Sequence, residues 1–172
     1  MHEMKRRMSK ALVMGAALTA SAIPVASAGA ASKSAKHVFP RKGAAFAGTS
    51  SQKSGNVPLP LDIRASPNGT FMSRFDIEWS ATCTSPTGRG SYGGLSITLN
   101  KPIVASVFTD SGSFTRSFSN GDKGTFNIKL FGKFTSPLRA AGTFQVNVTI
   151  NDSAGALTDT CSSGVIHWTA TN

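Results

Sequence analysis

The stretch Phe71-Met-Ser-Arg-Phe-Asp-Ile-Glu-Trp-Ser-Ala-Thr-Cys83 decides the fold of this chain. Most of its apolar residues occupy one parity, and its charged residues occupy the other. Because successive side chains of a strand point to opposite faces, the pattern predicts one long strand with a buried and a solvated face. The buried parity ends in one of only two cysteines, so the core face and a covalent cross-link are predicted to meet here.

Other alternating segments lie on both sides of this strand. Residues 57–65 precede the turn Ser66-Pro-Asn-Gly69, which predicts a hairpin with the long strand. Residues 144–150 alternate as clearly, and residues 165–170 place Trp168 on the apolar parity. About nine or ten short strands and no convincing helix predict an all-β fold, a two-sheet antiparallel β-sandwich with jelly-roll or Ig-like connections. A closed β-barrel is the alternative.

The remaining segments yield less regular predictions. Residues 45–48 predict a short first strand, and residues 49–56 a polar loop. Residues 84–94 are rich in Ser, Thr and Gly and predict a second loop. The apolar run at 103–109 predicts a strand buried on both faces, followed by a turn at Asp110-Ser-Gly-Ser113.

The first 28 residues have the three parts of a secretory signal. A basic segment at 5–10 precedes an apolar run at 11–25, and Ala26-Ser-Ala28 fits the small-x-small rule for cleavage. Cleavage after Ala30 is a near-equal alternative. A permanent membrane anchor is disfavoured because the apolar run is short and rich in Ala, Ser and Thr. The sequence therefore predicts a secreted or cell-envelope protein with no transmembrane segment after cleavage.

Residues 29–42 predict a flexible basic spacer before a β-sandwich domain at 43–172. The formal net charge of +10 lies mostly ahead of the domain, because residues 43–172 hold ten Lys and Arg against seven Asp and Glu. The charges of the domain are scattered, whereas a nucleic-acid-binding face needs clustered basic residues with aromatic residues between them. Nucleic acid is therefore not a predicted partner.

The two cysteines, Cys83 and Cys161, lie 78 positions apart and allow one intramolecular pairing. In an exported chain a disulfide is the preferred interpretation over a pair of free buried thiols. Closing a loop of this length is worth about 4–5 kcal/mol in the chain-entropy model. Two isolated cysteines without a nearby histidine cannot complete a zinc shell.

Asp76 and Glu78 lie two positions apart on the solvated face of the long strand, which would place their carboxyl groups about 6–7 Å apart. Inverting glycosidases use a separation of about 6.5–9.5 Å. A general acid needs burial, however, and these residues alternate with Arg74 on a solvated face. Surface charges are therefore the preferred interpretation, and the acid pair of a glycan-acting hydrolase is a weak alternative.

The segment Gly88-Arg-Gly-Ser-Tyr-Gly-Gly94 lacks the residue order of a phosphate-binding loop and precedes a strand instead of a helix. Arg89 and Tyr92 are its candidate ligand-binding pair, because Arg and Tyr are favoured contact residues. A secreted inhibitor or toxin-like module that displays this loop is a further alternative.

His167 is the only histidine at 43–172, and no G-x-S-x-G motif supplies a positioned serine for a hydrolase triad. A half-exposed strand position explains it better than a catalytic role. The turn aspartates lack the D-x-D-x-D-G order of a calcium loop. The sequence therefore predicts no catalytic residue, no metal and no cofactor.

Three segments in this order resemble small exported β-sandwich proteins of actinobacteria and their relatives. They are Phe46-Ala-Gly-Thr-Ser-Ser-Gln52, the strand that ends at Cys83, and Cys161-Ser-Ser-Gly-Val-Ile-His-Trp-Thr-Ala170. The resemblance covers most of residues 43–170 and implies an exported β-sandwich. It implies no catalytic residues.

We therefore expect a non-enzymatic binding or structural module, secreted or located at the bacterial cell envelope. The candidate partners are a cell-wall polymer, a glycan or an extracellular protein. The export signal, the basic spacer and the lack of a catalytic constellation motivate this expectation.

Overall fold

A computed structural model describes residues 36–85 and 91–172 of the chain, with the side chains of residues 91 and 92 excepted. This part of the chain contains nine β-strands and no helix, in keeping with the all-β prediction. The strands are β1 Ala45–Ser54, β2 Val57–Ala65, β3 Phe71–Cys83, β4 Ser91–Pro102, β5 Val107–Ser117, β6 Lys123–Ser136, β7 Arg139–Asn151, β8 Leu157–Ser162 and β9 Ile166–Thr171. None of the described residues belongs to a helix that could span a bilayer.

Six of the strands close into a ring through antiparallel pairing. The order around the ring is β3, β2, β1, β9, β7 and β8, and β8 pairs with β3 to complete it. β4 pairs with the other edge of β3, while β6 and then β5 extend from the other edge of β7. The two predicted separate sheets of a sandwich do not describe this pairing, which matches the closed barrel with additional strands.

The short strand β8 is the reason for this difference. It was not predicted, because Leu157–Ser162 has mostly exposed side chains and no apolar alternation. Its backbone pairs with Asn147–Asn151 of β7 on one side and with Thr82 and Cys83 of β3 on the other. Within it, Cys161 lies directly opposite Cys83 and forms the predicted disulfide, with an S–S distance of 1.97 Å.

The inward side chains of the ring and of the flanking strands form one hydrophobic core. Phe75 of β3 lies at its centre, with ring centroids 5.8 Å from Phe144 and 5.7 Å from Trp168. Phe108 contacts the same tryptophan at 6.2 Å. The predicted parity of β3 is confirmed at four positions, which are at most 5% exposed: Phe75, Ile77, Trp79 and Ala81.

Glycine makes one of the core contacts sterically feasible. A Cβ atom at Gly142 of β7 would lie 2.5 Å from Cζ2 of Trp168 and closer still to the carbonyl oxygen of Phe131. By contrast, a Cβ atom at Gly112 of β5 would have no atom within 4 Å. The indole of Trp168 therefore lies where any side chain at position 142 would have to be.

β4 and β5 follow one another in the chain, but no strand pairing joins them, and they form the two ends of the strand order. The gap between them, called the seam here, is bridged by an ion pair in which Lys101 Nζ lies 3.0 Å from Asp110 Oδ1. A Cβ atom at Gly94 of β4 would have no atom within 4 Å, so there is open space on this face of β4.

The predictions for residues 103–113 were wrong in part, although residues 107–109 do begin a strand, β5. Residues 103–106 form a tight connection instead of a buried strand, with positive φ at Ala105 (51°) and Ser106 (71°). The segment Asp110-Ser-Gly-Ser113 continues β5 instead of turning, because every residue from Val107 to Ser117 has a partner on β6. Pairing with β6 thus overrides the turn-forming composition of this segment.

β1 is also longer than predicted, since it runs to Ser54 through the expected polar loop, with an irregular register between Thr49 and Lys53. The spacer prediction for 29–42 fails in the described part. Val38 packs against the core and donates its backbone N–H to Ser106 Oγ at 2.6 Å, and Pro40 is buried. The predicted signal peptide at 1–28 lies outside the described residues.

Candidate functional site

A cleft of about 480 Å³ lies on the outer face of β2, β3 and β4. It is called the charged cleft here, and its polar lining consists of Asp62, Arg74, Asp76, Glu78, Ser96 and Arg116. Five of these six residues come from three neighbouring strands, and Arg116 comes from β5 across the seam. The cleft therefore brings ionisable groups from β2, β3 and β5 together.

The predicted acid pair lies in this cleft. Asp76 and Glu78 both line it, and the register of β2 with β3 places Asp62 directly opposite Asp76. Like charges opposite each other on neighbouring strands are destabilising. Three carboxylates on one small surface are therefore not explained by the stability of the sheet.

Arg74 partly compensates this charge, because its Nε lies 2.6 Å from Asp76 Oδ2. Its side chain is 52% exposed, so the ion pair contributes little to stability. The other carboxylate oxygen, Asp76 Oδ1, is buried and receives no hydrogen bond from any described residue. Buried acceptors are usually satisfied, so this oxygen is an acceptor with unused hydrogen-bonding capacity beside the cleft.

Arg116 supplies the second cation of the cleft. Its guanidinium carbon lies 5.6 Å from the ring centroid of Phe114, within the range of a cation–π contact. This contact with a neighbour on the same strand orients the guanidinium. Arg116 lines the charged cleft although its strand is not paired with β4.

A smaller pocket of about 130 Å³ adjoins the charged cleft and shares Gly94, Leu95 and Arg116 with it. It is called the aromatic pocket here, and its other lining residues are Trp79, Gly93, Phe114, Phe118 and Phe126. Charged groups and aromatic rings thus meet at one edge of β4.

The other predicted binding pair is not tested. Arg89 lies outside the described residues. Tyr92 belongs to β4, which begins three residues earlier than the predicted loop end at Gly94, and its backbone pairs with Ser80. The alternative of a loop-displaying inhibitor or toxin-like module stays a prediction.

His167 is exposed on β9, opposite Thr143, and does not line the charged cleft. Among the described residues, the group with the spacing of metal ligands is Cys83, Asp159 and Cys161. Both sulfur atoms are bonded to each other, so neither offers the thiolate that a metal requires. This group therefore has no metal-binding chemistry.

Asp159 instead fastens the segment that follows β3. The Ser85 hydroxyl is the main cause that lowers the pKa of Asp159, and hydrogen bonds from Thr84 and from the backbone of Ser85 and Thr160 add to it. The backbone N–H groups of Thr84, Ser85 and Thr160 donate to Oδ1 at 3.0, 3.0 and 2.8 Å.

We expect Asp159→Asn to lower the melting temperature at pH 7. A lowered folded-state pKa stabilises the fold fully above the unfolded value of about 3.9, and this contribution is lost as pH falls through the lower folded-state pKa. The difference in melting temperature between wild type and variant should therefore shrink from pH 4 towards pH 2. Thermal unfolding followed by circular dichroism checks this, and a difference that stays constant with pH would contradict it.

Three polar residues of the charged cleft, Asp62, Ser96 and Arg116, were missed in the sequence. Asp62 could have been found, because the predicted hairpin and the shared polar parity restrict its partner on β3 to positions near Asp76. A bulge between Arg64 and Ala65 shifts the register and hides the exact partner. No sequence pattern places Arg116 in the cleft, because β5 is not paired with β4 and Arg116 reaches the cleft across the seam.

A scan against protein-family models and a search of curated proteins find no match for this chain.

Proposed function

We propose that this chain is an exported, non-enzymatic binding module that holds a glycan in the charged cleft. The observation that carries the proposal is the meeting of three carboxylates and two guanidinium groups in the charged cleft, with the aromatic pocket adjoining it at β4. Carboxylates and guanidinium groups form strong directional hydrogen bonds with hydroxyl groups. Aromatic rings provide the apolar walls that such sites combine with a few polar groups.

The size of the cleft supports a small ligand or a short segment of a polymer. Its volume of about 480 Å³ falls in the range of roughly 300–1,000 Å³ that is usual for ligand sites. Its three carboxylates and two arginines nearly balance, which suits a neutral, polyhydroxylated ligand better than a strongly charged one.

Export is part of the proposal. A disulfide between Cys83 and Cys161 is typical of proteins in oxidising compartments. The signal-like residues 1–28 and the resemblance to small exported proteins of actinobacteria point the same way. Secretion from a bacterial host, with the amino terminus of the recovered protein sequenced, tests this part and distinguishes cleavage after Ala28 from cleavage after Ala30.

We expect Asp76→Asn to weaken glycan binding roughly 10- to 100-fold. A hydrogen bond to a charged group contributes about 1.5–3 kcal/mol, and each 1.4 kcal/mol corresponds to a tenfold change. The wild type is first screened on a glycan array and on insoluble cell-wall polymer. Isothermal titration with the best glycan then compares wild type and variant.

Asp122→Asn is the matched control, because Asp122 lies in the turn before β6 and does not line the cleft. It should bind as the wild type does. The proposal is contradicted if the wild type is retained on no glycan and on no wall polymer. It is also contradicted if Asp76→Asn and Asp122→Asn lose equal amounts of glycan affinity.

A glycan-acting hydrolase is the second candidate function. The observation that favours it is that Asp76 and Glu78 line the same cleft, with Asp62 beside them. If the wild type releases reducing ends from the bound glycan, Glu78→Gln should abolish this release while binding persists. If Glu78→Gln still hydrolyses the glycan, the hydrolase function is contradicted.

A further inference from the structure

The aromatic pocket has a chemistry of its own beside the charged cleft. Phe114 and Phe126 stack with their centroids 4.9 Å apart and an interplanar angle of 1°. Trp79 meets Phe126 edge to face at 6.3 Å. The walls are therefore apolar and rigid on two sides, while Phe118, which follows β5, is 40% exposed.

The indole of Trp79 places a single hydrogen-bond donor in these apolar surroundings. Trp79 is 4% exposed, and its Nε1 has no acceptor among the described residues. A buried indole N–H usually has a partner, and an unmet one costs about 1–3 kcal/mol.

The edge of this indole next to Nε1 faces Gly93 of β4, which has no side chain. A Cβ atom at Gly93 would lie 3.4 Å from Cε2, the ring atom bonded to Nε1, and 3.2 Å from Cζ2. The next residue, Gly94, has open space at its Cβ position and lines both pockets. Because consecutive residues of a strand point to opposite faces, the missing side chain at Gly93 leaves space at the indole edge, and the missing one at Gly94 leaves space where the two pockets adjoin.

The volume restricts what can enter. The 130 Å³ of the pocket exceeds the roughly 30 Å³ share of one water molecule and lies just below the ~150 Å³ of an apolar cavity that accepts benzene. A compact group with an apolar end and one acceptor oxygen fits this space. Because Nε1 has no solvent-exposed surface, the acceptor reaches it only when a side chain of the pocket moves, and Phe118 is the exposed one among the aromatic lining residues.

We infer that the glycan recognised by this module is built from 2-acetamido sugars, a step that rests on the proposed function. The sugar ring lies in the charged cleft, and its acetamido group enters the aromatic pocket past Gly94. There the methyl group packs between Phe114 and Phe118, and the carbonyl oxygen accepts the N–H of Trp79.

The test compares two β-1,4-linked tetrasaccharides, one of N-acetylglucosamine and one of glucose, which are both neutral and differ only at the 2-position. We expect the acetamido form to bind at least about tenfold more tightly, the effect of about 1.4 kcal/mol. Trp79→Phe should reduce this preference to less than about threefold. Trp168→Phe is the matched control, because its indole N–H is also buried and unpartnered but lines neither pocket.

The chain has two tryptophans, so Trp168→Phe also leaves Trp79 as the single fluorescent reporter. Its emission should change with the acetamido sugar and stay constant with the glucose form. If Trp79→Phe does not fold, Phe118→Ala replaces it, with the equally exposed Phe131→Ala on β6 as control. The acetamido preference should fall in the first and persist in the second.

The outcomes separate this inference from the proposed function. Equal binding of the two tetrasaccharides, or a preference that survives both Trp79→Phe and Phe118→Ala, overturns the acetamido assignment and leaves glycan binding intact. Binding only of array glycans that carry no 2-acetamido group also overturns the assignment alone. Absence of binding to every glycan overturns both.

Discussion

Replacing Cys83 and Cys161 together by alanine will lower the free energy of unfolding by about 4–5 kcal/mol. The cross-link closes a loop with a sequence separation of 78, and the chain-entropy model assigns that amount to such a loop. Besides the cross-link, the closure is held by two paired positions, Thr82 with Ser162 and Cys83 with Cys161, and by the hydrogen bonds of Thr84 and Ser85 with Asp159 and Thr160. Guanidinium denaturation of the oxidised protein and the double variant measures the difference.

Wild type under reducing conditions is the control for this experiment and should unfold at nearly the same denaturant concentration as the double variant. Hydrogen exchange should show faster exchange at the backbone N–H groups of Thr84 and Thr160, next to the cross-link. A stability loss below about 1 kcal/mol would show that β8 is held by its pairing with β7 and that the disulfide does not close the ring.

Gly142→Ala will destabilise the protein by about 3 kcal/mol or more. The added methyl group would overlap the Trp168 ring, which is buried in the core, and the carbonyl oxygen of Phe131, which belongs to the β6 backbone paired with β7. Overpacking of a dense core costs typically about 1–3 kcal/mol, and overlap with backbone raises the cost because backbone cannot move aside as a flexible side chain can. Urea denaturation at pH 7 measures the change.

Gly112→Ala is the matched control on β5, since its added methyl group would contact nothing within 4 Å. This variant should be unchanged or up to about 1 kcal/mol more stable, because alanine restricts the unfolded chain. Similar losses at the two positions would show that the flexibility of glycine in strands, and not the contact with Trp168, determines the effect.

The elements that could be predicted from the sequence are those with a clear two-residue period. β3 has the predicted bounds Phe71–Cys83, and the predicted hairpin with β2 is formed around the turn at 66–69. In both cases local alternation and turn chemistry agree with the tertiary pairing. The disulfide followed from the same reasoning, because only one pairing of two cysteines exists.

The closure of the barrel could not be predicted because it depends on a strand without an apolar pattern. β8 is polar and six residues long, and its pairing with β3 joins positions 78 residues apart. Only part of the charged cleft could be predicted, because the rest of it also depends on how distant strands lie beside each other. Asp76 and Glu78 follow from the parity of β3, whereas the approach of Arg116 depends on how β5 lies beside β4 in space.

The position of β9 in the ring has a consequence for folding during synthesis. β9 follows the other strands in sequence, yet it lies between β1 and β7 and pairs with both. The ribosome releases the chain from its amino end. The edge of β1 that pairs with β9 therefore stays unpaired until Ile166–Thr171 has emerged. Contacts between such distant segments are slow to form. The nascent polypeptide therefore stays without a completed core until the last strand of the ring is synthesised.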